Sequence, residues 1–220
     1  MIAGLFFNEY FFKNKGIILA ESSEEEIHLP SVQTIGKLSV EEAISKRRSI
    51  REYKDAPLSL KEVSQLLWSA QGITANRGGR TVPSAGALYP LEIYLVAGRV
   101  ENLKPGIYRY NPERHSLIKI IEGDKRVALF SSSLFQNCIK NAPVSLVICA
   151  QYEKTTQKYG ERGKRYVHME VGHVGQNIHL QAESLGLATV VIGAFTDEAV
   201  KKVLNTKEDP LYIMPVGTEK

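Results

Sequence analysis

Residues 83–90, Pro-Ser-Ala-Gly-Ala-Leu-Tyr-Pro, carry no charge and few bulky side chains, and they run straight into the apolar stretch 91–96. Where few Cβ groups stand in the way, backbone N–H groups can approach a flat or anionic ligand closely. Upstream, Arg47-Arg48-Ser49-Ile50-Arg51 gathers three guanidinium groups and a hydroxyl, a donor set suited to phosphate. A cradle for a planar group and a clamp for a phosphate together point to a nucleotide-like cofactor. Each segment alone has a plainer reading. The basic run also suits a helix C-terminus, where positive charge complements the dipole, with positions 47 and 51 sharing a face if the helix continues. The loop also reads as a proline-bounded turn feeding a strand.

Other chemistry-bearing residues are weaker candidates. Glu170 and His173 have the spacing of half a di-iron helix motif, but no second such pair exists in the sequence. With Asn177 they read as a buried hydrogen-bonding stripe, and no metal site is expected. Cys138 and Cys149 match no zinc or redox spacing, and Cys149 lies inside the apolar run 144–150 as a core thiol. No disulfide framework is implied, so a reducing cytoplasm is the default compartment. His115, His168 and His179 stand isolated and are given no chemistry, and Tyr89 reads as a turn-packing residue.

The elements that must position these residues follow from capping and periodicity. Ser39-Val40-Glu41-Glu42 and Ser59-Leu60-Lys61-Glu62 are capping boxes. The first starts a helix toward Arg48; the second opens one with Val63, Leu66, Leu67 and Ala70 at helical spacing, stopping at Gly72. Residues 73–82, with Asn76, Gly78 and Gly79, read as a polar loop near the ligand. Strands are expected at 91–96, 144–150, 189–194 and 211–217, with a hairpin of 107–110 and 116–121 around Asn111-Pro112. The longest helix spans about 164–185, with Val167, Val171, Val174, Ile178, Ala182 and Leu185 as its apolar stripe and Gly186 as its stop. Gly172 and Gly175 on it permit close approach of another helix. A short helix covers 197–204. The fold class is α+β, a mixed central sheet flanked by helices.

With 220 residues the chain suits one sizeable core, read as a domain over 36–220 preceded by an arm or linker over 1–35. The acidic run Glu24-Glu25-Glu26 reads as solvated linker. Asn8, Glu9, Lys13, Asn14 and Lys15 interrupt the apolar N-terminus, so neither a membrane helix nor a signal peptide is expected. A net charge of +4 is too small and too dispersed to argue for nucleic acid.

Several blocks, in order, resemble the nitroreductase superfamily, and most closely its SagB-type dehydrogenase branch. They are Arg-Arg-Ser-x-Arg-x-Tyr at 47–53, Leu-Leu-Trp-Ser-Ala-Gln-Gly-Ile-Thr at 66–74 and Pro-Ser-Ala-Gly-Ala-Leu-Tyr-Pro-Leu-Glu at 83–92. Lys-Tyr-Gly-Glu-Arg-Gly at 158–163, Glu-x-Gly-His-x-x-Gln-Asn at 170–177, Leu-Gly-Leu-Ala-Thr-Val-Val-Ile-Gly-Ala-Phe at 185–195 and Pro-Val-Gly at 215–217 continue the match. The resemblance implies an FMN enzyme of sandwich architecture, a homodimer with flavin at the interface and the long helix at its centre. By that carry-over Arg47, Ser49 and Arg51, with Arg48 contributing backbone or side chain, hold the phosphate, the ribityl chain or the pyrimidine edge. Pro83, Ser84, Ala85, Gly86 and Leu88 line the isoalloxazine. Ile192, Gly193 and Ala194 match the turn that presents an N–H near flavin N5. Many relatives have a further basic residue beyond the last strand; here Lys220, at what reads as a frayed end, is the basic candidate.

The activity implied is ping-pong transfer from NADH or NADPH through flavin to a nitroaromatic, quinone or related acceptor. An alternative is oxidation of thiazoline or oxazoline rings in a modified peptide. In that branch a Lys-Tyr pair is associated with deprotonating the heterocycle, which here falls on Lys158 and Tyr159. The plainer reading is a solvated Lys beside a packed Tyr. A second alternative is a non-catalytic flavin-binding module.

Overall fold

The computed structural model describes residues 25–75 and 78–220. The N-terminal arm before Glu25 and the loop residue Asn76 lie outside them. In chain order the elements are β1 (Glu26–His28), α1 (Val40–Lys46), α2 (Leu60–Gln71), β2 (Leu91–Ala97), β3 (Gly106–Asn111), β4 (Ser116–Glu122) and α3 (Arg126–Ser132). There follow α4 (Asn137–Asn141), β5 (Val144–Ala150), α5 (Tyr152–Tyr159), α6 (Arg162–Leu185), β6 (Ala188–Thr189), α7 (Asp197–Leu204) and β7 (Asp209–Gly217).

The strands form one sheet in the order β1-β4-β3-β2-β5-β7-β6. Every ladder between these strands is antiparallel, and parallel pairing enters through isolated bridges such as Ser49–Thr189. Helices cover both faces. Leu91, Ile93, Leu95, Leu146 and Ile148 pack toward α2 and α6, whose Leu66, Leu67, Val171, Val174 and Ile178 complete that core. The alternate residues Tyr94, Val96, Val147 and Cys149 face α3, α4 and α7. This is why 144–150 reads as unbroken apolar sequence: alternate side chains enter two different cores. The fold is α+β, as the sequence implies.

Both capping boxes form as read, with Ser39 and Ser59 accepting from the Glu42 and Glu62 N–H groups. Gly186, at φ 69°, ends α6 in the left-handed region. Three expectations need correction. Part of the acidic stretch is not linker: Glu26–His28 pairs with β4, and Glu26 accepts from Ser116 Oγ at 2.6 Å. The strand expected at 189–194 is only two residues long as regular structure. It breaks because Val190 stands opposite Pro215, which has no N–H to donate, and pairing resumes only where Ile192 and Ile213 exchange two 2.9 Å bonds. The stripe on α6 is Glu170, Asn177 and Gln181, not Glu170, His173 and Asn177, because His173 is exposed.

That stripe fastens α6 to its neighbours. Asn177 Nδ2 donates to the carbonyls of Ser69 and Thr81, both at 3.1 Å, and Gln181 Oε1 accepts from Gln65 Nε2 at 3.1 Å. His179 on the same helix is 5% exposed. Burial, with Arg47 nearby, pushes its pKa down to about 4. The folded state therefore keeps this imidazole neutral, and the unfolded state gains a proton first as pH falls below about 6.5. Stability is complete at pH 7 and declines from pH 6.5 toward 4, by on the order of 3 kcal/mol from this group. Melting temperature followed against pH should fall more gently over this window in His179→Gln than in the native chain.

Candidate functional site

The basic segment is not helical as far as its number of arginines invites. The α1 helix stops at Lys46, and Arg47 is its C-cap at φ −47° and ψ 122°. Beyond it Ser49 bridges Thr189, and the Ile50 N–H donates to the Thr189 carbonyl at 3.0 Å. The i,i+4 relation between 47 and 51 therefore does not apply. Arg48 turns back and donates from Nη1 to the carbonyls of Ser45 and Arg47, at 3.0 and 2.8 Å. Arg47 is half-buried beside α6, while Ser49 and Arg51 are exposed. Neither Arg47 nor Arg51 forms an ion pair among the described residues.

Tyr53 anchors the far end of the segment. Its hydroxyl donates to the carbonyls of Ile50 and Pro215, at 2.9 and 3.1 Å. The last residues run alongside it: Tyr53 bridges Glu219, and the Lys54 N–H donates to the Thr218 carbonyl at 2.9 Å. Lys220 is thus not frayed. It shares with Arg51, Gln136, Asn137, Cys138 and Asn141 the lining of a cavity of about 530 Å³. Gln136, to which the sequence reading gave no role, donates from Nε2 to the Ala194 carbonyl at 2.9 Å. Ile192 is buried, whereas Gly193 and Ala194 are exposed. Arg51 and the Gly193-Ala194 turn are therefore brought to one region through Gln136.

Residues 83–90 form a separate region. Ala85–Ala87 is a single 3-10 turn, and Gly86, Ala87 and Tyr89 have φ of 62°, 54° and 45°. Left-handed backbone costs a non-glycine residue about 1–2 kcal/mol, so this shape must be held from outside. The holders are specific. Ser84 Oγ accepts from the Tyr89 N–H at 2.9 Å and donates to Glu170 Oε2 at 2.5 Å. The Arg80 guanidinium lies 4.5 Å from the Tyr89 ring centroid and donates to Gln71 Oε1 at 3.0 Å. Tyr89 has the packing role expected of it. Burial raises the Glu170 pKa, and the hydrogen bond from Ser84, the nearby Gln71 amide and the charge of Arg80 oppose this. Pro83 is exposed, Ser84, Ala85 and Leu88 half-buried.

Lys158 and Tyr159, at the end of α5, meet this loop. A Cβ on Gly86 would lie 2.7 Å from the Tyr159 hydroxyl and 2.9 Å from Lys158 Nζ. The ammonium lies 5.4 Å from the Tyr159 ring centroid, and that ring packs edge-on against Tyr166. A cation, a phenol and a small-residue loop thus converge on one point. The donor set fits a planar, phosphate-bearing cofactor: unpaired guanidinium groups, a hydroxyl and a lysine at one region, and an open small-residue cradle at the other. Among the described residues no group of three His, Cys, Asp or Glu could hold a metal ion, and no helix is long and apolar enough to cross a membrane.

Comparison with known proteins agrees with this geometry. The model of the nitroreductase family matches residues 44–218. A provisionally named nitroreductase of Methanocaldococcus jannaschii is 50% identical over 192 residues, which is 87% of this chain and 96% of that protein. The microcin B17-processing protein McbC of Escherichia coli is 33% identical over 155 residues, 67% of this chain and 57% of McbC. The crystal structure of a provisionally named nitroreductase from Ralstonia eutropha is 28% identical, with a TM-score of 0.79 over 90% of this chain and 91% of that one.

Gly86 is the residue on which the loop and the Lys158–Tyr159 pair both depend. Gly86→Ala puts a methyl group into the space of both heads and adds a third left-handed non-glycine residue. It should lower the melting temperature by at least about 2–4 °C, the shift expected for 1 kcal/mol at this chain length, as measured by circular dichroism.

Proposed function

The chain belongs to the nitroreductase family, and from that premise we propose an FMN-dependent oxidoreductase that carries reducing equivalents from NAD(P)H to a nitroaromatic, a quinone or a related small acceptor. The observation that carries this reading is the direct hydrogen bonding of the basic segment to the strand end that leads into the Gly193-Ala194 turn. Phosphate donors and a main-chain turn with exposed residues are thereby held in fixed relation. FMN, when bound, would supply the hydride-transfer chemistry.

The residues have distinct tasks. Arg47, Ser49 and Arg51 hold the phosphate, the ribityl chain or the pyrimidine edge, where a guanidinium also stabilises developing negative charge. Lys220 is the added cation of the Arg51 cavity. Arg48, engaged on the end of α1, serves mainly by its backbone. Gly193 and Ala194 offer main-chain N–H groups, since neither has a side chain able to donate. Pro83, Ser84, Ala85, Gly86 and Leu88 line the ring. Donor and acceptor would be taken in turn beside residues 83–88, which makes the kinetics ping-pong.

A homodimer is part of this reading. Val40 and Ile44 on α1 and Met169 on α6 are large apolar side chains left exposed. The Arg51 cavity has no lining from residues 83–90. A second copy packed on α1 and α6 covers that apolar surface and brings a loop to each clamp. Two buried free cysteines accord with a reducing cytoplasm.

The purified protein should show a flavin absorbance spectrum that bleaches anaerobically with NADH or NADPH. Protein that stays colourless and takes up no added FMN would defeat the reading. Arg47→Ala and Arg51→Ala should each weaken FMN binding about tenfold to a hundredfold, the range for a lost charge-assisted hydrogen bond, measured by quenching of flavin fluorescence.

A second reading is favoured by the convergence of Lys158 and Tyr159 on Gly86 and by the similarity to McbC. In it the same flavin site oxidises thiazoline or oxazoline rings of a modified peptide, and Lys158 beside the phenol takes the ring proton. Lys158→Ala separates the two. Under the first reading NAD(P)H–quinone turnover stays within about twofold. Under the second, oxidation of an azoline-containing peptide falls by about a hundredfold or more, the size of a lost general base.

A further inference from the structure

Resting on the reading of residues 83–88 as the flavin cradle, we propose that Glu170 is the positioning residue that sets the cradle's shape, holding it by the Ser84 hydroxyl and, through that hydroxyl, by the Tyr89 amide. A serine hydroxyl has one proton to give. Here it goes to Glu170 Oε2, and the oxygen accepts the Tyr89 N–H. Between these two attachment points lie Gly86 and Ala87, and Tyr89 itself closes the run of left-handed residues. Inside the loop the bonds are local: Ala87 N–H to the Ser84 carbonyl and Leu88 N–H to that of Ala85. The bond from Ser84 to Glu170 is what fixes this self-contained turn to a helix.

Glu170 is well placed for the task. It is 3% exposed on the 24-residue α6. Seven positions further along the same helix, Asn177 holds the Thr81 carbonyl. Both ends of the approach to the cradle, Thr81 and Ser84, are therefore hung from one rigid rod. Behind the loop the circuit nearly closes. Glu170 Oε1 is buried without a partner, and so is Nε2 of Gln71, whose side chain lies against Glu170. The other end of Gln71 takes Arg80, and Arg80 stacks on Tyr89. The two restraints on the loop, Ser84 and Tyr89, thus stand at the ends of a chain of Glu170, Gln71 and Arg80 that is open only between Glu170 Oε1 and Gln71 Nε2. A buried carboxylate contributes less to stability than a well-packed apolar side chain would, so its presence beneath this loop is best explained by what it holds.

The test compares Glu170→Ala, Glu170→Gln, Ser84→Ala and Arg51→Ala. Hydrogen exchange at the Tyr89 amide is followed in the flavin-free protein, and FMN affinity and the visible spectrum of bound flavin in the loaded one. Glu170→Ala and Ser84→Ala should speed Tyr89 exchange and weaken FMN binding, each about tenfold, and alter the shape of the visible band. Glu170→Gln keeps a carbonyl that accepts from Ser84, so it should restore both values to within about threefold of the native chain. Arg51→Ala should weaken FMN binding and leave Tyr89 exchange unchanged. Native exchange and native FMN affinity in Glu170→Ala would overturn the proposal, as would Glu170→Gln behaving like Glu170→Ala. Should Glu170→Ala fail to fold, Glu170→Asp, whose carboxylate is one methylene short of Ser84 Oγ, decides in its place. If the native protein takes up no FMN, the flavin reading falls, and the exchange measurements still decide the role of Glu170.

Discussion

A single carbonyl organises the cationic half of the site. Pro215 cannot donate to a neighbouring strand, so the ladder between β6 and β7 is interrupted beside it. Its oxygen instead accepts from the Tyr53 and Thr189 hydroxyls, at 3.1 and 2.9 Å. Those two bonds tie the segment after α1 and the strand end before the Gly193-Ala194 turn to the same point of β7. The arginines, the turn and the C-terminal segment therefore inherit their relative positions from the buried end of β7.

The other half depends on α6. From Glu170 to Gln181 one face of this helix supplies side chains to the 80–84 approach, to the end of α2 and to its middle. The adjoining apolar stripe, Val167, Val171, Val174 and Ile178, is sealed in the core. The helix thus transmits the rigidity of the core to a loop whose own backbone conformation is unfavourable. Stiff support behind a strained segment is what keeps such a backbone shape in place.

How much of this was legible varied with sequence distance. The capping boxes were readable because their partners lie three residues apart, and the apolar runs because each pattern is local. The order of strands, helices and hairpin carries the α+β class, and the family blocks imply its sandwich architecture. The short helices α3, α4 and α5 were not foreseen: they are brief, and Lys, Gln, Ser and Asn dilute any periodic stripe. The strand after Ala188 was overread because its apolar composition conceals the proline it must face. The site's internal wiring was hidden for another reason. Ser84 and Glu170 are 86 positions apart, and Gly86 meets Lys158 and Tyr159 only through tertiary packing. No periodicity encodes such meetings. Glu170 itself stood out in the sequence, but His173 drew it into the wrong stripe.

Among the described residues, the sheet ends at each margin in a short strand. One ends in β1, three residues long and flanked by the Glu25–Lys119 ion pair, and the other in the two-residue β6. A long open strand edge is a template on which further chains can add by backbone hydrogen bonding, and charge and brevity are the usual means of blunting it. With the long apolar strands confined to its interior, the sheet formed by the described residues offers incoming strands little to extend. Any aggregation it undergoes should begin from exposed apolar side chains such as those of Leu134 and Phe135, not from growth of the sheet.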